Sequence, residues 1–206
     1  TGGSKSLKAG TNLPNGTIIH YFIPNSVKDN DQVKLSIHSA DGALIKEFSN
    51  KSKENSLKVK NGGNSFVWNM KYPGAKQLEN MVLWGIDFSG AKAVPGNYIV
   101  KLKVNDTELT QEFTIHKNPT SEGSIDDIKA QFEFVNEING VVDKAHKAIE
   151  NIRNMKKDLK KFQSDYADNE FAKDLIEKSK SILESIDKIE NELYQTKNQS
   201  NQDPLN

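Results

Sequence analysis

At Asn118-Pro119 the spacing of apolar residues changes, and this change limits what the chain can fold into. Before it, apolar side chains alternate with polar ones, as at Val33, Leu35 and Ile37 and again at Tyr98, Val100, Leu102 and Val104. That is the period of a half-buried strand. After it, they recur at steps of three and four through Ile125, Ile128, Phe132, Val135, Ile138, Val142, Ala145, Ile149, Ile152, Leu159 and Phe162. That is the period of an amphipathic helix. Strands followed by helices in a chain of 206 residues predict two modest domains. Composition shifts at the same place, since all but two of the 13 glycines and five of the six prolines precede Ser121.

The first domain is predicted at 17–118, behind a Gly-, Ser- and Lys-rich linker at 1–16. Strands are expected at 17–23, 33–38, 43–48, 66–70, 98–104 and 107–116, with short ones at 57–59 and 81–84. Asp41-Gly42 and Asn105-Asp106 supply hairpin turns. About seven short strands with turns every 8–12 residues predict an all-β immunoglobulin-like sandwich of the fibronectin/FlgD-like kind. Its folding centre is the stretch 66–98, which holds both tryptophans, Trp68 and Trp84, and two Pro-Gly pairs, Pro73-Gly74 and Pro95-Gly96, read as type II turns.

The second domain, at 122–199, is predicted to be all-α: a long antiparallel helical hairpin, with 200–206 a truncated tail. Ser124 reads as the N-cap, with Asp126 and Asp127 in the first turn, and Gly140 as a bend or a close contact inside the helix. A turn at 164–169 leads to a second helix whose stripe is Phe171, Leu175, Ile182, Ile186, Ile189 and Leu193. Phe134, Val141, Ile176, Leu183 and Tyr194 widen the apolar faces beyond one seam. A third helix, the sandwich or a second copy is therefore expected to cover the hairpin, self-association through it included.

Several classes of function are set aside. Residues 1–120 carry a net +5 and 121–206 a net −5, neither of them the strongly basic stripe that nucleic acid requires. The absence of cysteine removes thiolate metal sites and thiol nucleophiles. No apolar run approaches the roughly 20 residues that span a bilayer. His20, His38, His116 and His146 are scattered without metal-ligand spacing, so neither metal nor cofactor is expected. Asp41, Glu79 and Asp87 lie in predicted loops with nothing to pair them across a cleft, so no catalytic residue is assigned. Lys156, Lys157, Lys160 and Lys161 read as a complement to the helix dipole, with anion binding as the competing role. The ligand-binding candidates are Trp68, Tyr72 and Trp84, which could form a sugar-stacking platform. The competing reading buries both tryptophans in the core and lays Tyr72 over one end of the sandwich.

The strings Trp68-Asn69-Met70-Lys71-Tyr72-Pro73-Gly74-Ala75, Leu83-Trp84-Gly85, Gly90-Ala91-Lys92-Ala93-Val94-Pro95-Gly96-Asn97-Tyr98 and Thr110-Gln111-Glu112-Phe113 occur in that order. With Glu192-Leu193-Tyr194-Gln195 and Asp203-Pro204-Leu205-Asn206, they resemble the C-terminal region of secreted bacterial BNR-repeat glycosyl hydrolases, also described as sortilin-type propeller proteins. The resemblance covers most of residues 60–206. It implies an N-terminal β-propeller of the same parent chain as partner, and a secreted, periplasmic or cell-surface location. It also implies that any hydrolase activity belongs to the propeller, because the Ser-x-Asp-x-Gly-x-x-Trp box is absent here and Ser39-Ala40-Asp41-Gly42 only shortens it. This chain would be a non-catalytic C-terminal accessory or structural module. The alternative is a carbohydrate-binding module that targets the parent enzyme.

Overall fold

The computed structural model describes residues 12–28, 30–79, 81 and 87–195. Six strands precede the helices: β1 (Thr17–Ile23), β2 (Val33–Ser39), β3 (Leu44–Ser49), β4 (Gly62–Trp68), β5 (Gly96–Val104) and β6 (Thr107–Ile115). They form two antiparallel sheets, β1-β4 and β3-β2-β5-β6. Facing side chains of both sheets make one core, in which Ile23, Val33, Leu35, Ile37 and Trp68 are fully enclosed. The alternation in β2 does what its sequence demands: Val33, Leu35 and Ile37 point inward, while Lys34, Ser36 and His38 stay half-exposed. Register keeps the inward set together, with Leu35 opposite Phe48 of β3 and Leu102 of β5. Phe48 then meets Phe66 of the other sheet at 4.6 Å.

The expected hairpins close as their turn residues require. Gly42 takes φ 85° in the β2–β3 turn, a conformation open to glycine at little cost. Asn105 takes φ 52° in the β5–β6 turn, and both its backbone N–H (3.0 Å) and its Oδ1 (3.2 Å) engage Gln32. Two expectations change. Residues 57–59 form no strand; the neighbouring chain makes only a bridge between Ser49 and Ser56, although Leu57 is buried. β4 begins at Gly62 rather than Phe66, because Asn64 fixes the turn before it, donating to the carbonyls of Lys60 (2.7 Å) and Gly62 (2.9 Å). The expected strand at 81–84 lies, apart from Met81, outside the described residues.

Helix α1 (Ile125–Asp165) starts where the sequence places it. Ser124 and Asp127 form a reciprocal capping box: Asp127 N–H donates to Ser124 Oγ at 3.0 Å, and Ser124 N–H to Asp127 Oδ2 at 2.8 Å. The bonds from Ser124 hold the Asp127 carboxyl below its usual range. Gly140 sits inside this helix, and a Cβ placed there meets nothing within 4 Å, so neither a close contact nor a clash explains it. A 3-10 turn (Glu170–Ala172) leads into α2 (Lys173–Leu193).

The chain divides into two compact units, but the division does not fall at residue 118. One unit is Thr1–Pro73 with Ala91–Phe132, and the other is Gly74–Gly90 with Glu133–Asn206. The connection from β4 to β5 therefore makes an excursion into the helical unit. Lys76 anchors it there: its N–H donates to Asp143 at 2.6 Å, its ammonium pairs with Glu150 at 2.8 Å, and its carbonyl bonds His146 Nδ1. Gly74 is needed for space rather than for a positive φ, which corrects its reading as a type II turn position. A Cβ there would come 1.7 Å from the carbonyl oxygen of Phe88.

Candidate functional site

Of the aromatic candidates, the two that are described, Trp68 and Tyr72, offer no open platform. Trp68 is 0% exposed. Its ring meets Tyr98 edge-on at 5.9 Å and Phe113 at 6.3 Å, and its Nε1 donates to the carbonyl of Lys71 at 3.3 Å. A sugar needs an open aromatic face, and this ring offers none, so Trp68 is removed from the binding set. Tyr72 is partly buried, with its ring against Phe132 at 4.8 Å, and burial pushes its hydroxyl pKa up. Trp84 lies outside the described residues. An open groove of about 840 Å³ does run along β1 and β4, lined by His20, Tyr21, Phe22, Lys58 and Lys60. Nothing in the sequence pattern singled out that set.

The loop acids are occupied in their own turns. Asp41 accepts from Ser39 Oγ at 2.5 Å and from the N–H of Ala43 at 3.3 Å, and these bonds hold its carboxyl below the usual range. Asp87 accepts from the N–H and the hydroxyl of Ser89, both at 2.8 Å. Glu79 is exposed. His146 is buried against Phe88 at 5.8 Å. Among the described residues no cluster of three His, Cys, Asp or Glu could hold a metal. No helix among them is long and apolar enough to cross a membrane.

The densest electrostatic arrangement lies between α1 and α2. Glu190 is 6% exposed, yet it accepts from Arg153 Nε at 2.8 Å and from Lys156 Nζ at 2.5 Å, and Lys156 also pairs with Asp187. Burial pushes the Glu190 carboxyl up, but the two cationic donors outweigh it and hold its pKa below normal. Arg153, the single arginine in the chain, also lies over the ring of Tyr194 at 5.2 Å. Lys156 thus belongs to the seam between the helices. α1 runs on to Asp165 with no basic residue in its last turn, so the dipole account of the lysine cluster does not hold.

These bonds also fix the packing of the helices. Arg153 meets Glu190 and Gln163 Nε2 meets Ser179 Oγ at 2.7 Å, so α1 and α2 run antiparallel. The covered face of α2 carries Ile176, Ser179, Leu183, Ile186 and Glu190, continuing from the buried Ala172 of the 3-10 turn. Of the stripe expected to pack, Phe171, Leu175, Ile182, Ile186, Ile189 and Leu193, all but Ile186 are exposed, with Phe171 97% open. The seam and the stripe have thus changed places. On α1, Met155 and Tyr166 are exposed as well, and so are Phe134, Ile138 and Val141 further toward its start.

The class defined by these observations is a β protein of two antiparallel sheets that carries a helical pair with an uncovered apolar face. No family model, no curated protein and no solved structure matches the chain.

Proposed function

We propose that the chain is a non-catalytic accessory module of a larger secreted propeller protein resembling BNR-repeat glycosyl hydrolases, and that its helical pair serves in assembly. The observation that carries this reading is the apolar stripe on α2. Large side chains held in water at regular helical spacing mark an interaction surface. The immunoglobulin-like assignment of the sheets has two supports. The order β3-β2-β5-β6 against β1-β4 is the arrangement of a Greek-key sandwich. Tyr98, near the start of β5, donates its hydroxyl to the carbonyl of Val94 at 2.7 Å, as a tyrosine corner does. The glycan-targeting alternative loses its main aromatic, because Trp68 is enclosed.

The test is the size of the native polypeptide, read by blotting fractions of the source cells with an antibody to this chain. A band well above 23.0 kDa in an envelope or secreted fraction is expected. A band at 23.0 kDa would remove the propeller and with it the accessory role.

A further inference from the structure

We propose that the exposed stripe of α2 binds the same stripe of a second copy of this chain, antiparallel, with Ile182 on the two-fold axis. The proposal deepens the assembly reading above by naming the partner.

The first observation is spacing. Leu175 and Ile189 lie seven residues on either side of Ile182, and Phe171 and Leu193 lie eleven on either side. All five are exposed. Phe171 belongs to the 3-10 turn that leads into α2, and at 100° per residue the other three fall within about 20° of Ile182 on the helix surface. A stripe that reads the same in both directions is what an isologous two-fold contact requires. Ile182 meets its own copy and Leu175 meets Ile189, while Leu193 comes toward the 3-10 turn that carries Phe171. From Leu175 to Leu193 the stripe runs roughly 27 Å, long enough for a bundle seam.

The second observation is the neighbouring helix. The residues of α2 that face α1 sit about 90° round from the stripe, at Ile176, Leu183 and Glu190. On α1, Met155 and Tyr166 sit about 90° round from the seam, in the same sense as the α2 stripe does from its own seam residues. Because the two helices run antiparallel, equal senses bring both sets to the same side of the pair. The uncovered face is therefore two helices wide. Pairing two such faces closes a four-helix bundle.

The third observation is charge. The first half of α2 carries Lys173, Lys178 and Lys180 against Asp174 and Glu177. The second half carries Glu184 and Glu192 against Lys188, with Asp187 and Glu190 already engaged by α1. At 100° per residue Lys173, Lys180 and Glu184 lie about 160–180° away from the stripe, so the charges that flank it are Asp174, Lys178, Lys188 and Glu192. Parallel pairing in register would set each of these against its own copy, and antiparallel pairing does not. Along the open flank of the stripe it brings Lys188 of one copy beside Asp174 of the other. The α1 lysines Lys157, Lys160 and Lys161 lie on the side of that helix away from this face, so they do not oppose pairing.

The test is the mass of the full chain by sedimentation over a concentration series. A reversible shift from 23.0 kDa to twice that is expected. Ile182→Glu should raise the dissociation constant by about a hundredfold or more, with the helical circular dichroism unchanged, because the axis position buries two copies of the charge. Lys188→Glu and Asp174→Lys should each weaken the dimer by about tenfold, and an equimolar mixture of these two variants should recover it. Only contact between copies gives that recovery, and both positions are surface sites that leave the fold intact. A chain that stays monomeric, a dimer indifferent to Ile182→Glu, or a mixture no tighter than its components would overturn the proposal. A monomer with a large native polypeptide would leave the accessory role standing. A dimer with a native band of 23.0 kDa would do the reverse.

Discussion

Replacing Glu190 by Gln keeps the shape of the side chain and removes the charge on which the helix seam is built. Two cationic donors converge on that carboxylate, Arg153 Nε at 2.8 Å and Lys156 Nζ at 2.5 Å. Glutamine has one acceptor oxygen, so one of the two cations must face an amide N–H instead. A hydrogen bond to a charged group contributes about 1.5–3 kcal/mol, and breaking one side of a buried pair costs more than an exposed one. Lys156 keeps its pairing with Asp187, which limits the loss to about 2–3 kcal/mol. For a cooperative unit of this size that corresponds to a fall in melting temperature of about 10–20 °C, followed by circular dichroism at 222 nm. Glu192→Gln, on the exposed side of the same turn, should stay within about 0.5 kcal/mol of the parent. The pH dependence gives an independent arm. The folded-state pKa of Glu190 is lowered, so its contribution is fully present above the ordinary glutamate value of about 4.3. It disappears as pH falls through the folded-state value, and the gap between wild type and variant should close in acid. A variant as stable as wild type at neutral pH, or a gap that does not narrow as pH falls below the ordinary glutamate value, would refute the assignment of the seam to this charge.

Two further outcomes are expected. Gly140→Ala should raise stability by about 1 kcal/mol in thermal melts, since the new methyl group meets nothing within 4 Å and glycine is a poor helix residue; a loss would reveal a contact that this backbone does not show. The Tyr98 hydroxyl is pushed up to about 12 by burial and by the neighbouring Tyr72. Its contribution is therefore whole below about pH 10 and lost as pH rises toward the folded value. Tyr98→Phe should remove the highest-pH phase of the 295 nm tyrosine titration, and a wild-type profile without such a phase would count against the buried geometry.

The strands were legible because alternation is a local property. Val33, Leu35 and Ile37 name their face without reference to anything distant. Gly62 and Gly63 carry no side chain to alternate, so the start of β4 was hidden. The error on α2 has a different cause. Two apolar faces compete on this helix, and hydrophobicity alone favoured the one that stays in water. The packed face includes Ser179 and Glu190, which look solvent-facing until their partners, Gln163 and the pair Arg153 and Lys156, are brought in from 16 to 37 residues away. The lone arginine of the chain was the available hint. For the sugar platform, the sequence supplied the aromatics but could not say which side of the sheet Trp68 faced. That is set by its register with Thr17 and by the enclosure of its ring by Tyr98 and Phe113.

The excursion of Gly74–Gly90 has a consequence for how the chain can be made and cut. The backbone passes between the two units after Pro73, again after Gly90 and a third time after Phe132. A ribosome releases the excursion well before α1 exists, so Lys76 must wait for Asp143, His146 and Glu150 to be synthesised before its bonds can close. Cleavage at Asn118-Pro119, the natural place to divide the sequence, would leave the β fragment with a strand-to-strand connection stripped of its support. The helical fragment would lack the piece that fills it. In genetic terms the two halves are interlocked, and a recombination event that moved one without the other would deliver an incomplete module.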